Sequence, residues 1–465
     1  MRLGIVAIAR PTFDVPFAQA TAEQGVKTLR DAGFEIVGSS SLVMDTDSLA
    51  AALETLVAES IDALIILQAS FADSSLTVQA ADVQGPVVLW AFPEDRTGGR
   101  LRLNSFCGIN LAGYALTNKG RDYHWLYRPA SDNTAAIEIR NLLGPRPSAP
   151  QGDNASDMAQ IPPSAMQAAA TVRDRLRSIT IGRVGERPDG FEPCGYEAAV
   201  LTAVLGVTVD EVPLPELFDR AGAAGSADVA EALDRAGAFL DGTGEVDQES
   251  LAQSLRLNVG LRSLIRDRGW AGVATRCWPE TFTEFGGAAC TPMALLNEDG
   301  TPGTCEADVY GNITGLILGW LAESAAFVAD LVHLDRDTNT GVLWHCGLAP
   351  FEMADPESVP HATIHSNRKM PLLSEFPLKP GRVTIARVSQ SNGQHRMVIG
   401  GGDMVRAPLA FSGTAGVVRF DRSVDAVMST VMGEGLEHHF GIVYGDVRNE
   451  LHALANLLTI ATVGI

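Results

Sequence analysis

At 465 residues the chain is longer than one hydrophobic core usually holds, so two to four domains are expected. Apolar residues make up 46% and charged ones 20%, the balance of a soluble globular protein. A formal net charge of −21 repels polyanions and excludes general binding to nucleic acid or anionic lipid, while leaving room for a small anionic substrate held by local arginines.

No run of about 18 apolar residues is present, and the mean hydropathy of +0.09 reflects plentiful Ala. No transmembrane helix and no membrane partner are therefore expected. The opening MRLGIVAIARPTF is too short for a signal peptide and suits a first buried strand, which predicts a cytoplasmic protein. Six cysteines (107, 194, 277, 290, 305, 346) form no CxxC pair, so reduced, mostly buried thiols are expected.

In chain order, LGIVAIA (3–9) is an all-apolar strand, followed by a helical pattern over Gln19–Ala32 that Gly33 ends. EIVGS starts the next strand. Asp47 or Ser48 is placed to cap a helix over Leu49–Glu59, and DALIILQ and GPVVLWAFP (85–93) are buried strands. Strand alternating with helix means a doubly wound parallel sheet, with ligands beyond the carboxyl ends of its strands. The qualifying loops are ARPTFD (9–14), QASFAD (68–73) and AFPED (91–95). No GxGxxG follows the first strand, which removes the phosphate cradle of a dinucleotide site.

The first domain is read as 1–143. GPRPSAPQGDNASDMAQIPPS (144–164), rich in Pro, Ser, Gly and Asp, is a linker or mobile insertion. A second α/β domain over 165–335 contains the strand and Gly/Pro-rich loop of SITIGRVGERPDGFEPCGYE, helix formers over 228–268 and a strand in GWAGVATRCW (269–278). Residues 336–465 change texture: GRVTIARVSQSNGQHRMVIGGG (381–402) is a hairpin about Asn392-Gly393, GVVRF (416–420) is a strand, and the end is strand, turn and amphipathic helix. The fold class is thus α/β, two doubly wound domains followed by a β-rich C-terminal domain.

Chemistry concentrates between Arg276 and Pro350, where Glu306, Asp330 and His345 fall at or just beyond the ends of apolar runs. Glu306 precedes the apolar helix DVYGNITGLILGWLAE and is read either as a cap or as a ligand. Asp330 closes FVAD, whereas Asp335 and Asp337 belong to a hairpin turn. His345 ends a short strand in VLWHCG and is either a satisfied core residue or a ligand. His438 and His439 are adjacent, so strand alternation sends them to opposite faces and at most one reaches the site. Two carboxylates with one or two imidazoles suit Mn²⁺, Co²⁺ or a related divalent cation better than structural zinc.

With those residues in view, the chain resembles the L-fucose isomerase and L-arabinose isomerase superfamily, and within it the fucose-isomerase-like proteins. ARPTFD, RCWPE (276–280), CEADVYG (305–311), FVAD (327–330), LWHCG (343–347) and HHFGIVYGD (438–446) follow in the family's order over nearly the whole length. The resemblance implies two flavodoxin-like domains and a β-rich third. It implies Mn²⁺ on Glu306, Asp330 and His439, with His345 matching a fourth ligand of the arabinose isomerases. His438 is assigned to packing or an outer contact, and with Trp278 of RCWPE it joins the candidate substrate contacts. It also implies a hexamer or related homo-oligomer in which Arg10 serves a neighbouring protomer. The chain is shorter than typical fucose isomerases, and GRVGERPDGF (182–191) follows no sugar pattern of the family.

The chemistry implied is aldose–ketose isomerisation of a small sugar through a cis-enediol, with Glu306 and Asp330 as the proton-transferring pair. Arg183 and Arg187 are the candidate readers of a phosphate or sulfonate on that sugar. The rival readings are a non-catalytic sugar-binding or sensor protein, which needs no metal or proton relay, and a metal-dependent epimerase or aldolase.

Overall fold

The computed structural model describes residues 1–144 and 161–465, and these fall into two units. The first takes in the described residues of Met1–Asp95, Arg102–Gln160 and Val431–Leu436. The second is Arg96–Leu101, Ile161–Thr430 and Glu437–Ile465. The segment read as a linker over 144–164 lies, from 145 to 160, outside the described residues.

Apolar strands with no polar face must be covered on both sides, and the first unit is built accordingly. Its elements are β1 (Arg2–Ile8), α1 (Val15–Asp31), β2 (Glu35–Val43), α2 (Thr46–Glu59), β3 (Ala63–Gln68), α3 (Ser74–Ala80), β4 (Val87–Ala91), α4 (Ser105–Asn118), β5 (His124–Tyr127) and α5 (Asn133–Leu142). The strands form one parallel sheet in the order β2-β1-β3-β4-β5, and every residue of β3 and β4 is buried. Helix α1 starts four residues earlier than its periodicity predicts. Asp14 caps it by accepting the Phe17 N–H, and Pro16 sits in the first turn, where no backbone donor is needed. The cap of α2 is Asp45, not Asp47 or Ser48; Ser48 closes the capping box.

In the second unit, α6 (Pro163–Leu176), β6 (Thr180–Val184), α7 (Ala198–Leu205), β7 (Thr208–Val212), α8 (Leu214–Gly222), α9 (Ser226–Gly237), α10 (Gln248–Arg268), β8 (Gly272–Thr275), α11 (Cys290–Glu298), β9 (Gly303–Thr304) and α12 (Val309–Ala322) build a second parallel sheet, ordered β7-β6-β8-β9. There follow β10 (Phe327–Asp335), β11 (Thr340–His345), β12 (His361–Thr363), β13 (Leu373–Pro377), β14 (Gly381–Ser389), β15 (Arg396–Val405), β16 (Thr414–Phe420), α13 (Val424–Gly433), β17 (His439–Tyr444), α14 (Arg448–Leu458) and β18 (Ala461–Gly464). All of those strands join one nine-stranded mixed sheet, ordered β12-β13-β16-β11-β10-β17-β14-β15-β18. The fold class is therefore the expected one, α/β sheets followed by a β-rich region.

Helix α12 ties the second parallel sheet to the large one. It is apolar on all sides because both flanks are covered: Ile313, Leu316, Ile317 and Leu318 share a core with α6, β6, β14, β15 and α14. Its buried Asn312 amide donates to the carbonyls of Val273 (3.0 Å) and Pro302 (2.7 Å), pinning the helix to β8. The N-terminus of α12 is thereby fixed beside the carboxyl ends of β8 and β9. Among the described residues no helix is long and apolar enough to cross a membrane.

Candidate active site

A sheet register brings the first two candidate residues together. β10 and β17 run antiparallel with Asp330 directly opposite His439, so both side chains leave the same face about 5 Å apart at Cβ. The His439 Nε2 lies 3.4 Å from Asp330 Oδ1 and 3.6 Å from Glu306 Oε2.

Glu306 reaches that point from a tight turn in which it and Ala307 both have positive φ, 61° and 55°. Two successive non-glycine residues in the left-handed region cost roughly 1–3 kcal/mol each. The turn is held by the Ala307 N–H on Thr275 O and the Asp308 N–H on Cys305 O. Glu306 is not the helix cap: Asp308 is, accepting the Gly311 N–H at 2.8 Å.

Both Glu306 oxygens are engaged. Trp278 Nε1 donates to Oε1 at 3.1 Å, and His438 Nε2 approaches Oε2 at 3.0 Å. Trp278 and His438 are in turn packed edge-on against Phe191. The expectation that only one of the two adjacent histidines faces the site is corrected here. β17 begins at His439, so His438 lies before the strand, where alternation does not apply. Their rings sit 4.0 Å apart over the same carboxylate.

Behind His439, Asp308 Oδ2 takes its Nδ1 at 2.8 Å, and Arg387 grips both Asp308 oxygens at 2.5 and 3.0 Å. The ion pair is fully buried. Neither residue is in the candidate set read from the sequence.

Burial raises the proton affinity of every carboxyl group here, and the neighbours decide the outcome. For Glu306, burial is outweighed by the hydrogen bond from His438 and the surrounding imidazoles, which bring it down to about 2. For Asp308, Arg387 and His439 do the same and hold it well below the usual carboxylate range. Asp330 is pushed up to about 7, by burial and then by the charges of Glu306 and Asp308. Burial also depresses His345 to about 3 and His438 to about 4, so both are neutral imidazoles. His439 is raised: burial opposes it, but Asp308, Asp330 and Glu306 prevail.

Among the described residues, the buried atoms without a hydrogen-bond partner include Asp330 Oδ1, His345 Nε2 and His439 Nε2. They lie within 4.8 Å of one another. Glu306, His438, His439 and Cys194 form a second such group. Burial pushes the Cys194 thiol well up, which leaves it protonated and a poor ligand. The donors that converge here, carboxylate oxygen and imidazole nitrogen, fit a divalent cation. No metal identity follows from this.

The remaining candidates lie elsewhere. Arg183 is a buried side chain paired with Glu186 and Glu211; a guanidinium already flanked by two carboxylates is poorly placed to read an anion, which tells against its candidacy. Arg187 passes Gly195, whose Cβ position would lie 3.5 Å from its Nε, and its carbonyl accepts from Arg276. Arg10 belongs to the first unit, where its backbone N–H donates to Ser70 Oγ after β1.

Residues 4–142 match the family described as Fucose/sulfoquinovose isomerase, N-terminal domain, and residues 374–465 match L-fucose isomerase, C-terminal domain. Relatives named sulfoquinovose isomerase align over nearly the whole chain. The one from Alkalicoccus urumqiensis is 30% identical over 460 residues, covering 98% of each chain. Those from Priestia aryabhattai (29% over 459 residues) and Clostridium sp. strain MSTE9 (28% over 465 residues) each cover 98% of this chain and 97% of their own. The chain belongs to the fucose/sulfoquinovose isomerase family and is a sugar isomerase, an intramolecular oxidoreductase.

Proposed function

We propose that this chain interconverts a sulfonated aldose and its ketose with a divalent cation, Mn²⁺ suiting the donor set, held by Glu306, Asp330 and His439. The observation that carries the reading is the convergence of buried Asp330 Oδ1 and His439 Nε2, 3.4 Å apart and without hydrogen-bond partners, beside an ionised Glu306. Unsatisfied buried polar atoms are costly and rarely left without a ligand. The sulfonate comes from the relatives, which are named for sulfoquinovose.

Held by Glu306, Asp330 and His439, a cation would supply Lewis acidity for the charge that develops on the sugar oxygens. The protein supplies the proton traffic. Glu306 and Asp330 stand on either side of His439 Nε2, so one carboxyl group takes the carbon-bound proton while the other serves the oxygens, through a cis-enediol. Trp278 and His438 hold the Glu306 carboxylate in place.

His345 has a different part. The Cys346 N–H donates to its Nδ1 at 2.8 Å, so the neutral ring carries its proton on Nε2. We therefore assign His345 as a hydrogen-bond donor to a substrate oxygen and not as a ligand. Arg187 remains a candidate contact for the distal part of the sugar. As in the resembling isomerases, the protein works as a homo-oligomer, a hexamer or a relative of one, with Arg10 contributed to a neighbour's site. Light scattering that returned only the 49.2 kDa monomer would remove that part.

The test is isomerisation of sulfoquinovose followed by NMR. Chelator-treated protein is expected to be inactive and to recover with Mn²⁺, and Glu306→Gln is expected to abolish turnover with its circular dichroism unchanged. Full activity after exhaustive chelation, or in Glu306→Gln, defeats the reading.

A further inference from the structure

The turn 365–370 presents a guanidinium to the site that no motif announces. His365, buried at its base, accepts the Arg368 and Lys369 N–H groups on its carbonyl and the Asn367 N–H on Nδ1, and packs edge-on against Phe282. The Arg368 side chain then lies over two aromatic rings, its Cζ 4.8 Å from the Trp278 centroid and 5.4 Å from that of Phe282. Trp278 is the residue whose indole N–H bonds Glu306.

Among the described residues Arg368 has no salt bridge. Glu280 is near enough to feel its charge, but Arg276 already holds both Glu280 oxygens at 2.7 Å. Further positive charge stands beside it: Arg100 Nε donates to Asn367 Oδ1 at 2.6 Å, and Lys369 is the next residue. Both, with Arg368, add to burial in depressing His365. A local excess of cations, in a chain of net charge −21, next to a carboxylate reserved for another arginine, is an anion subsite in waiting.

We propose that Arg368, stacked on Trp278, reads the sulfonate of the substrate and sets specificity for it. The proposal rests on the isomerase reading above. The path from Arg368 to Glu306 crosses one indole ring and a 3.1 Å hydrogen bond. A planar fork suits two sulfonate oxygens, and the aromatic faces hold it with little loss of entropy on binding. Arg183 and Arg276 are excluded by their own carboxylates.

The experiment compares kcat/KM for sulfoquinovose and for glucose, which carries hydroxyl in place of sulfonate, in the wild type, Arg368→Met, Arg368→Lys and Arg187→Met, all loaded with Mn²⁺. For Arg368→Met the ratio of sulfonated to neutral turnover is expected to fall about 10- to 100-fold, the loss of one charge-assisted contact, mostly through KM. Arg368→Lys should recover part of it, and Arg187→Met should shift the ratio less. Equal losses on both sugars would reduce Arg368 to a prop for Trp278, and an unchanged ratio would dismiss it; either overturns the proposal. A wild-type enzyme that isomerises glucose but not sulfoquinovose would instead bring down the substrate reading itself. If Arg368→Met fails to fold, the Lys variant decides, since an unchanged ratio there removes the need for the fork.

Discussion

Asp308 decides which nitrogen of His439 is offered to the site. By taking the proton at Nδ1 it leaves the lone pair on Nε2, between Asp330 and Glu306. Asp308→Asn keeps the shape but removes the charge that fixes this tautomer. Mn²⁺ affinity by calorimetry is expected to fall about 10- to 100-fold, as for other carboxylates behind a metal-bound histidine, in protein whose circular dichroism is unaltered; an unchanged Kd would make Asp308 merely the cap of α12. Glu306, Asp330 and His345 stand out in the sequence because polar side chains at the ends of apolar runs have few local explanations, whereas His439 is singled out only by the family resemblance. Asp308 was not, since a helix cap explains an aspartate there just as well. Arg387 stands alone among apolar residues in VTIARVS, which was a signal, but its partner lies 79 residues away and no local pattern joins them. Adjacent histidines were misjudged because alternation holds only inside a strand.

At the scale of elements, the site depends on how α12 is docked. Gly272 in β8 leaves room for Asn312: a Cβ there would stand 2.3 Å from Asn312 Oδ1 and 3.0 Å from the Pro302 carbonyl. Gly272→Ala is expected to cost about 1–3 kcal/mol by overpacking in urea unfolding. Because α12 begins at the Asp308 cap, it should also weaken cation binding at a distance; a variant with wild-type stability would mean that the helix tolerates the shift. Strands β1, β3 and β4 and helix α12 were readable because each is a continuous apolar run flanked by turn residues, whereas the half-exposed β7 and the two-residue β9 carry no such run. β12, only three residues long, and β18, exposed after α14, carry no such run. Their pairing is set by the neighbours they meet, β13 and β15.

For the whole molecule, the six cysteines are all free thiols, and burial raises those of Cys290, Cys305 and Cys346 beside the candidate site. A thiol reagent at pH 8 is therefore expected to spare Cys290, Cys305 and Cys346 in the native protein and to reach all six groups after denaturation; fast labelling of Cys305 in folded protein would show that the Glu306 turn opens readily. The nine-stranded sheet carries a further consequence. Strand β17, next to the central strand β10, comes late in the chain and is inserted between β10 and β14. During synthesis from the N-terminus, Glu306 and Asp330 emerge well before the His439 imidazole. If the three hold a cation as proposed, a ribosome-bound fragment would bind it loosely at best, and tight capture would certify a finished and correctly threaded polypeptide.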